Sequence, residues 1–197
     1  VIVMTPAALQ TNYREELKHC GNAIYNKNQF WSFVKVDNGT NQGVAIANEL
    51  ERLLGVNSSD VLKRRGAWMV DARKKNGNYK SLSDGERKSI DLQIDEMIKS
   101  KYKFVNYNGI RSPHWNEMTQ GGSKNPFDDA VVVIDEVHNF VSRIVGKLGK
   151  KGTAAAATPL GKLVNTDMPV SLAMYEMLQT AVNVKIVALT GTPMINY

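Results

Sequence analysis

The sequence has little cysteine, no long apolar run and no internal repeat, and each absence excludes a class of protein. Cys20 is the single cysteine among 197 residues, so an internal disulfide and a cysteine-rich zinc site are excluded and a reducing compartment is expected. The longest clear apolar runs are AVVVI at 130–134 and IVAL at 186–189, far below the roughly 20 residues of a membrane helix. No secretory signal pattern opens the sequence, and no repeat at solenoid periods occurs.

The remaining composition is that of a folded, mildly basic domain. Hydrophobic residues make up 43% and charged residues 22% of the chain, which excludes general disorder and provides for one sizeable core. The net charge of +6 and the pI of about 9.3 favour a polyanionic partner. Because strand-like segments stand at both ends of the sequence, we expect the chain to be a piece of a longer polypeptide.

Predicted strands alternate with predicted helices, which indicates an α/β fold with a mainly parallel sheet. The predicted strands are VIVM at 1–4, FWSFVKV at 30–36, AWMVDAR at 67–73, KFVNYN at 103–108, AVVVIDE at 130–136 and KIVAL at 185–189. Thr5 and Pro6 suit the start of a helix as cap and first residue. Ser83 and Glu86 have the spacing of a capping box. We expect a helical, basic insertion over 40–101 and a flexible loop over 146–162.

The segment VVVIDEVH at 131–138 carries the strongest chemical signal. A continuous apolar strand is typical of a parallel sheet that is buried on both faces, and ligands of such sheets bind at the carboxyl ends of the strands. Asp135 is then a candidate to hold Mg²⁺ through water, and Glu136 a candidate to deprotonate an attacking water. The alternative is a strand that ends in two solvated acids.

The segment KIVALTGTP at 185–193 repeats this arrangement, with an apolar strand followed by a small polar loop. Gly191 permits close approach of the backbone, and the hydroxyls of Thr190 and Thr192 can bond a neighbouring carboxylate or histidine. Alone, this loop predicts no more than a turn.

Together these segments resemble the motifs of superfamily 2 helicases. VVVIDEVHNF resembles their Walker B box of the DEXH kind, ALTGTP their motif III, and VIVMTPAAL their motif Ia. The similarity is closest to the helicase-like NTPases of large cytoplasmic DNA viruses, in the group of the poxvirus early transcription factor. The matching segments are 1–17, 102–110, 125–145 and 171–196. The resemblance implies a RecA-like P-loop NTPase lobe, incomplete at its N-terminus, with ATP and Mg²⁺ as ligands.

The resemblance also implies roles for individual residues. It assigns Asp135 to the metal, Glu136 to the catalytic base, and His138 to the coupling of nucleotide state to motif III. It assigns the coupling of hydrolysis to movement to Thr190, Gly191 and Thr192. It assigns contact with nucleic acid to Thr5, Pro6, Tyr107 and Asn108. Other interpretations remain for three of these, since His138 can begin a helix facing solvent, Thr5 can cap a helix and Tyr107 can pack in a core.

A basic cluster surrounds Trp68 in the middle of the chain. It consists of Lys63, Arg64, Arg65, Arg73, Lys74 and Lys75. Arg64, Arg65 and Lys74 are candidates to neutralise phosphates of DNA or RNA, with the tryptophan stacking on a base. The alternative is a solvated helix face over a core tryptophan.

The phosphate-cradling loop G-x-x-x-x-G-K-[ST] occurs nowhere in the 197 residues. In the family that loop precedes motif Ia and a second RecA-like lobe follows motif III, so we expect the remainder of the polypeptide to supply both. We also expect a gap, a covering partner or an incomplete sheet beside residues 130–135, where the missing strand would lie.

Three functions remain open at this point. The first is a nucleic-acid-dependent ATPase, helicase or translocase, associated with viral transcription or packaging proteins in the cytoplasm or the virion and not with a membrane. The second is an inactive lobe that serves as a structural or nucleic-acid-packaging component of a virion. The third is an unrelated P-loop NTPase.

Overall fold

The computed structural model describes residues 1–148 and 169–192. These residues form two compact units. The first unit comprises the described residues of 1–10 and of 103–197, and the second comprises residues 11–102.

The first unit is built on a four-stranded sheet. Its elements are β1 (Ile2–Met4), β4 (Lys103–Val105), α5 (Ser112–Met118), β5 (Val131–Ile134), α6 (Val137–Leu148), α7 (Val170–Thr180) and β6 (Lys185–Ala188). The strand order is β4-β1-β5-β6 and all three pairings are parallel. This confirms the predicted α/β class and the parallel sheet.

The position of β5 corrects one prediction. Val132 pairs with Ile2 of β1 on one side and with Ile186 of β6 on the other. The predicted gap beside residues 130–135 is therefore wrong, because β6 occupies the place next to β5. Among the described strands, the edges of the sheet are β4 and β6.

Strand β6 is more exposed than its apolar sequence predicts. All four of its residues are exposed, including Ile186 at 45% and Val187 at 44%. In β5, Val131 is also exposed, at 39%. The prediction of strands buried on both faces is wrong here, because among the described strands β6 pairs on one side only, and Ile186 and Ala188 line an open cavity beside α6 and α7.

The core of the first unit lies between the sheet and the helices that follow it. Met4 of β1, Val132 of β5, and Met174 and Met177 of α7 are fully buried, and Phe140 of α6 packs with them. The two methionines are thus core residues, as the helical pattern of 170–181 predicts. This core holds the strand ends in place.

The second unit contains helices and a two-stranded antiparallel sheet. Its elements are α1 (Gln10–Cys20), whose first residue belongs to the first unit, β2 (Trp31–Lys35), α2 (Asn41–Leu54), α3 (Ser58–Arg64), β3 (Gly66–Val70) and α4 (Asp84–Lys101). Strands β2 and β3 pair antiparallel, with Phe33 opposite Trp68. The helical segment expected over 40–101 lies inside this unit, which starts earlier and includes strands.

Local signals account for α4. The Ser83 side chain accepts from the Glu86 backbone and Glu86 bonds back to Ser83, which confirms the capping box. Ile90, Ile94 and Met97 are fully or almost fully buried, as their spacing predicts.

Two further predictions concern segment ends. The strand predicted over 103–108 ends at Val105, because the following residues form turns at the sheet edge. Of the loop predicted over 146–162, residues 146–148 belong to the end of α6, and the rest lies outside the described residues. None of the helices in the described ranges is long and apolar enough to cross a membrane.

Candidate functional site

The carboxyl ends of the four parallel strands meet at one edge of the sheet. Thr5 follows β1, Tyr107 lies two residues beyond β4, Asp135 follows β5, and Thr190 lies two residues beyond β6. Because parallel strands all end at the same edge, this is where an α/β sheet places its ligands. The sequence-predicted residues of both motif-like segments lie here.

The Asp135 carboxylate is held by two donors. Its Oδ1 accepts from the backbone N–H of Glu136 at 3.0 Å, and its Oδ2 accepts from the Thr5 hydroxyl at 3.3 Å. The Asp135 backbone N–H donates to the carbonyl of Met4 at 2.8 Å. The central strands β1 and β5 thus fix the direction of this carboxylate.

This arrangement corrects the role predicted for Thr5 in local structure. Pro6, not Thr5, occupies the cap position of the short 3₁₀ turn Ala7–Leu9, and no side chain caps that turn. Thr5 is fully buried, and its hydroxyl bonds Asp135 instead. Pro6 is partly buried beside it. Contact with nucleic acid through these two residues stays a prediction.

Glu136 lies in a turn with a left-handed backbone, at φ 50°. Residues other than glycine rarely adopt this backbone conformation, and those that do cluster at functional sites. Val137 begins α6 directly afterwards, and its backbone N–H donates to the carbonyl of Leu189 beyond β6. The turn therefore joins the ends of β5 and β6.

His138 connects the two predicted motifs. Its Nδ1 lies 2.7 Å from the Thr190 hydroxyl and 3.4 Å from the Thr192 hydroxyl. The same nitrogen lies 3.3 Å from Oε2 of Glu136. Which group donates in the contact between Nδ1 and Thr190 depends on the tautomer of the imidazole, and the Glu136 carboxylate lies within reach of the same nitrogen. The imidazole can therefore link the state of Glu136 to the loop after β6.

The loop after β6 is itself organised around Thr190. Its hydroxyl accepts from the Thr192 backbone N–H at 3.1 Å. Gly191 is exposed, and an added Cβ there would meet nothing within 4 Å. The tight approach predicted for Gly191 is not made by any described residue, and Pro193 lies outside the described residues.

Tyr107 is the residue whose place differs most from its predicted role. Its side chain is 2% exposed, and its hydroxyl donates towards the carbonyls of Asp135 at 2.9 Å and Glu136 at 3.1 Å. Burial raises the pKa of Tyr107 to about 12, and the charges of Asp135 and Glu136 act in the same direction. Sequence reasoning missed this contact, because it depends on β4 and β5 ending at one edge.

Asn108, beside Tyr107, is partly buried. Its backbone N–H donates to Oδ1 of Asn106, whereas its own Oδ1 is buried without a hydrogen-bond partner. Buried polar atoms are rarely left unpaired outside functional sites. Asn108 therefore remains a candidate contact residue at the sheet edge.

Mg²⁺ fits the chemistry of Asp135 as a water-mediated ligand. Each carboxylate oxygen of Asp135 accepts one hydrogen bond and can accept another. Magnesium typically keeps several waters and takes one or two carboxylates plus substrate phosphates. Among the described residues, no group of three or more His, Cys, Asp or Glu is placed to hold a metal, so a closed metal cage is not offered within those ranges.

Half of the basic cluster of the second unit is already paired with acidic side chains. Arg64 bonds Glu96, Arg73 bonds Asp71 at 2.9 Å, and Lys63 bonds Asp60 at 3.1 Å. The hydrogen bond that Arg64 donates to the Glu96 carboxylate raises the pKa of Arg64.

Arg65 and Lys74 differ from their neighbours. Neither forms a salt bridge with any residue in the described ranges, and Lys74 lies 5.8 Å above the Phe30 ring. Of the predicted phosphate contacts, these two cations are therefore available, whereas Arg64 is already paired.

Trp68 is a core residue and not a stacking platform. It is 6% exposed, and its indole N–H donates to Ser89 at 3.2 Å. The exposed aromatic residue is its cross-strand partner Phe33, which is 39% exposed and lies edge-on to Trp68 at 5.1 Å. Alternation along β2 places Phe33 on the same face as the buried Trp31, so the pattern of the strand gives no signal of this exposure.

A shallow cavity of about 600 Å³ adjoins Phe33. It is lined by Phe33, Lys35, Val36, Asp37, Asn38 and Arg65. The backbone N–H of Val36 donates to the carbonyl of Arg65 at 3.0 Å, so the two cationic positions stand at the same end of the β2–β3 pair. The cavity thus combines two cations with an exposed ring.

Comparison with protein-family models, with curated proteins and with solved structures found no match. Function is therefore inferred from the geometry described above and from the motifs of the sequence.

Proposed function

We propose that this chain is most of the N-terminal RecA-like lobe of a nucleic-acid-dependent ATPase of superfamily 2. The observation that carries the proposal is the 2.7 Å contact between His138 and Thr190. It joins the segment that resembles a Walker B box to the segment that resembles motif III, 52 residues apart. The pairing of β5 with β6 brings the two segments together, and the side chains that meet there are the ones to which the resemblance assigns coupling.

The reaction divides between Asp135 and Glu136. Asp135 would hold a hydrated Mg²⁺, which supplies charge neutralisation on the phosphates when bound. Glu136 would orient a water and accept its proton as the water oxygen attacks the terminal phosphorus of ATP. The bond from that phosphorus to the bridging oxygen breaks, and ADP leaves with the electron pair.

Coupling to nucleic acid would pass through His138. Its Nδ1 is within reach of both Glu136 and the Thr190 hydroxyl, as given above. A change in the position of the Thr190 loop therefore changes the partner of the imidazole, and with it the environment of the base. Such a contact between two strand ends is a natural place to link hydrolysis to movement.

The phosphate cradle must come from outside these 197 residues, since G-x-x-x-x-G-K-[ST] is absent from them. Among the strands in residues 1–148 and 169–192, none pairs with the outer edge of β6, and exposed apolar side chains flank that edge. We place the strand that leads into the cradle there, and not beside residues 130–135 as the sequence suggested.

The nucleic acid would be contacted in part by the second unit. Lys35 and Arg65 provide charge for phosphates, and Phe33 provides a ring on which a base can stack. Pro6 and Asn108 at the sheet edge remain further candidate contacts.

The test is ATP hydrolysis by the full-length protein, with and without single-stranded DNA or RNA. We expect hydrolysis that nucleic acid stimulates. Glu136→Gln should leave ATP binding nearly intact and lower kcat by roughly 100-fold or more, since a positioned base contributes on that scale. Glu117→Gln is the matched control, because the Glu117 side chain is 83% exposed in the same unit.

Two results would contradict the proposal. Hydrolysis by Glu136→Gln at the wild-type rate would remove Glu136 from the reaction. A full-length protein with no ATPase activity under any nucleic acid, but with nucleic-acid binding intact, would favour the alternative of an inactive lobe in a virion. The missing phosphate loop is the observation that keeps this second function open.

A further inference from the structure

The backbone at Glu136 needs support that its own residue type does not give. Its φ of 50° lies in the left-handed region, where the Cβ of an L-residue meets the following carbonyl oxygen. The conformation therefore persists only where neighbouring groups enforce it. The groups that contact this turn show which residue does so.

The Tyr107 hydroxyl is the group that contacts both sides of Glu136. It lies 2.9 Å from the carbonyl oxygen of Asp135 and 3.1 Å from that of Glu136. These oxygens belong to the two peptide planes that flank the Cα of Glu136. When both planes point to one hydroxyl, φ and ψ of Glu136 are fixed together, and so is the direction of its Cα–Cβ bond, from which the carboxylate extends.

Tyr107 is itself held rigidly. Its ring is 2% exposed and packs edge-on to Phe140 at 5.5 Å between centroids. The Asn139 side chain donates a hydrogen bond to its hydroxyl, and the Asn139 backbone N–H donates to the carbonyl of Glu136 at 2.9 Å. Because burial raises the pKa of Tyr107 to about 12, the hydroxyl keeps its proton at physiological pH.

We propose that Tyr107 is a positioning residue that holds the Asp135–Glu136 turn in the left-handed conformation and thereby aims the Glu136 carboxylate at the reacting water. The inference rests on the proposed function for its kinetic consequence. Its structural part, control of the turn by the hydroxyl, stands without that function. Neither part follows from the motif resemblance, which assigned Tyr107 to nucleic acid.

The first variant is Tyr107→Phe in the full-length protein, since phenylalanine keeps the ring and removes the hydroxyl. We expect kcat to fall about 10-fold, the scale of one missing hydrogen bond to a buried group. KM for ATP should change less than about 2-fold, because the groups that bind ATP are not altered. Tyr79→Phe is the control: in the second unit, the Tyr79 hydroxyl donates to Asp91 at 2.8 Å, and its removal should leave kcat unchanged.

A double-mutant cycle separates positioning from general stability. If Tyr107 acts through the Glu136 carboxylate, Tyr107→Phe should lower kcat by less than about 2-fold when Glu136 is already glutamine. An equal decrease in both backgrounds, or an effect on KM alone, would overturn the positioning role.

Amide hydrogen exchange tests the turn without any activity. In Tyr107→Phe we expect the backbone amides of 136–139 to exchange about 10-fold faster, while those of β5 keep their rates. Unchanged exchange at 136–139 would overturn the inference even if kcat fell. If wild type proves inactive but exchange at the turn rises as expected, the proposed ATPase fails and the structural inference survives.

A second variant covers the case in which Tyr107→Phe does not fold. Asn139→Ala removes the donor that orients the Tyr107 hydroxyl, at an exposed position in the first turn of α6. It should move kcat and the exchange rates in the same direction as Tyr107→Phe does, by about 3-fold. No change in either measurement would contradict the inference.

Discussion

His138 is the residue at which the chemistry and the coupling of the proposed motor meet. Its Nδ1 contacts the Thr190 hydroxyl and approaches Glu136. Because a single nitrogen lies near both partners, the imidazole stands between the loop after β6 and the carboxylate of the proposed base. The contact is local, and substitution at either end can test it.

We expect His138→Ala to damage stimulation by nucleic acid more than basal hydrolysis. Stimulation should fall about 10-fold while the basal rate stays within about 3-fold, since one hydrogen bond between the two motifs is removed. The measurement is ATPase activity of the full-length protein over a titration of nucleic acid. His114→Ala is the control, because His114 is exposed in α5.

The partner residue allows a finer comparison. Thr190→Ser keeps the hydroxyl and should retain stimulation by nucleic acid. Thr190→Val keeps the shape without the hydroxyl and should lower stimulation as much as His138→Ala does. Equal decreases of basal and stimulated rates in His138→Ala would contradict a coupling role.

Tyr107 also predicts a dependence of stability on high pH. Its pKa is raised from the ordinary value near 10 to about 12 in the folded state. The unfolded chain therefore loses this proton first, and the stabilisation is complete below pH 10 and lost as pH rises to 12. The full difference corresponds to about 2–3 kcal/mol.

Urea unfolding between pH 8 and 12 measures this effect. The free energy of unfolding of wild type should decline more steeply above pH 10 than that of Tyr107→Phe. Tyr79 also has a pKa raised to about 12, so Tyr79→Phe should flatten the curve as well. Parallel curves for wild type and Tyr107→Phe would show that Tyr107 does not titrate in this range.

At the scale of residues, the sequence predicted which side chains lie together better than which groups each of them contacts. Asp135, Glu136, His138 and Thr190 do lie together, because motif spacing reports on strand ends. The contact of Thr5 with Asp135 was not predictable, since Thr-Pro has a sufficient local explanation as a helix start. The pairing of β1 with β5 decides otherwise, and no local pattern contains that pairing.

The elements were predicted in type more reliably than in exposure. Periodicity predicts α4 and α7 with their buried residues, since a stripe on one face reports directly on packing. In α2, apolar character and burial do not coincide: Leu53 is 50% exposed, whereas Gly43 and Ala47 are buried. Apolar character alone does not show which turns of a helix contact the core and which are exposed to solvent.

The pair β2–β3 is the element that carries our nucleic-acid prediction. Phe33 and Lys35 lie two residues apart on the same face of β2, and Arg65 immediately precedes β3. Arg65 has no salt bridge to any described residue, in contrast to Arg64 beside it. A polyanion would therefore meet charge here without first breaking an ion pair.

We expect the double variant Lys35→Glu, Arg65→Glu to weaken binding of single-stranded nucleic acid at least 10-fold. The slope of log K against log salt concentration should become shallower, by roughly 0.7 for each phosphate of a single strand that the variant no longer neutralises. Fluorescence anisotropy at several salt concentrations measures both quantities. Phe33→Ala should weaken binding with no change in that slope, because stacking releases no counterions.

A matched double variant controls for net charge. Lys63→Glu, Arg73→Glu carries the same change of charge in the same unit, at positions that are already paired. Binding that depends on these residues as strongly as on Lys35 and Arg65 would assign nucleic acid to a different surface, or to charge alone.

At the scale of the whole molecule, the α/β class and the parallel sheet follow from the sequence, but the strand order does not. Buried apolar runs alternating with helices leave few architectures other than a parallel sheet. The order β4-β1-β5-β6 depends on the pairing of β1 with β4 and with β5, and the partners in these two pairings are more than a hundred residues apart along the chain. The open position was consequently expected beside β5, whereas β6 forms the exposed edge.

That edge determines what the 197 residues should do alone. Asp135 and Glu136 need a substrate held in place, and the cradle that would hold its phosphates is not encoded in these residues. We therefore expect no measurable ATPase from the isolated chain, and only weak nucleic-acid binding that falls steeply with added salt.

The exposed backbone and the apolar side chains of β6 should also make the isolated chain poorly stable, because an uncovered edge strand favours association with other chains. The measurements are ATP hydrolysis, salt-dependent binding and the concentration dependence of light scattering, each compared with the full-length protein. Hydrolysis by the isolated chain that Glu136→Gln abolishes would overturn this expectation, since the site would then be complete without a phosphate loop.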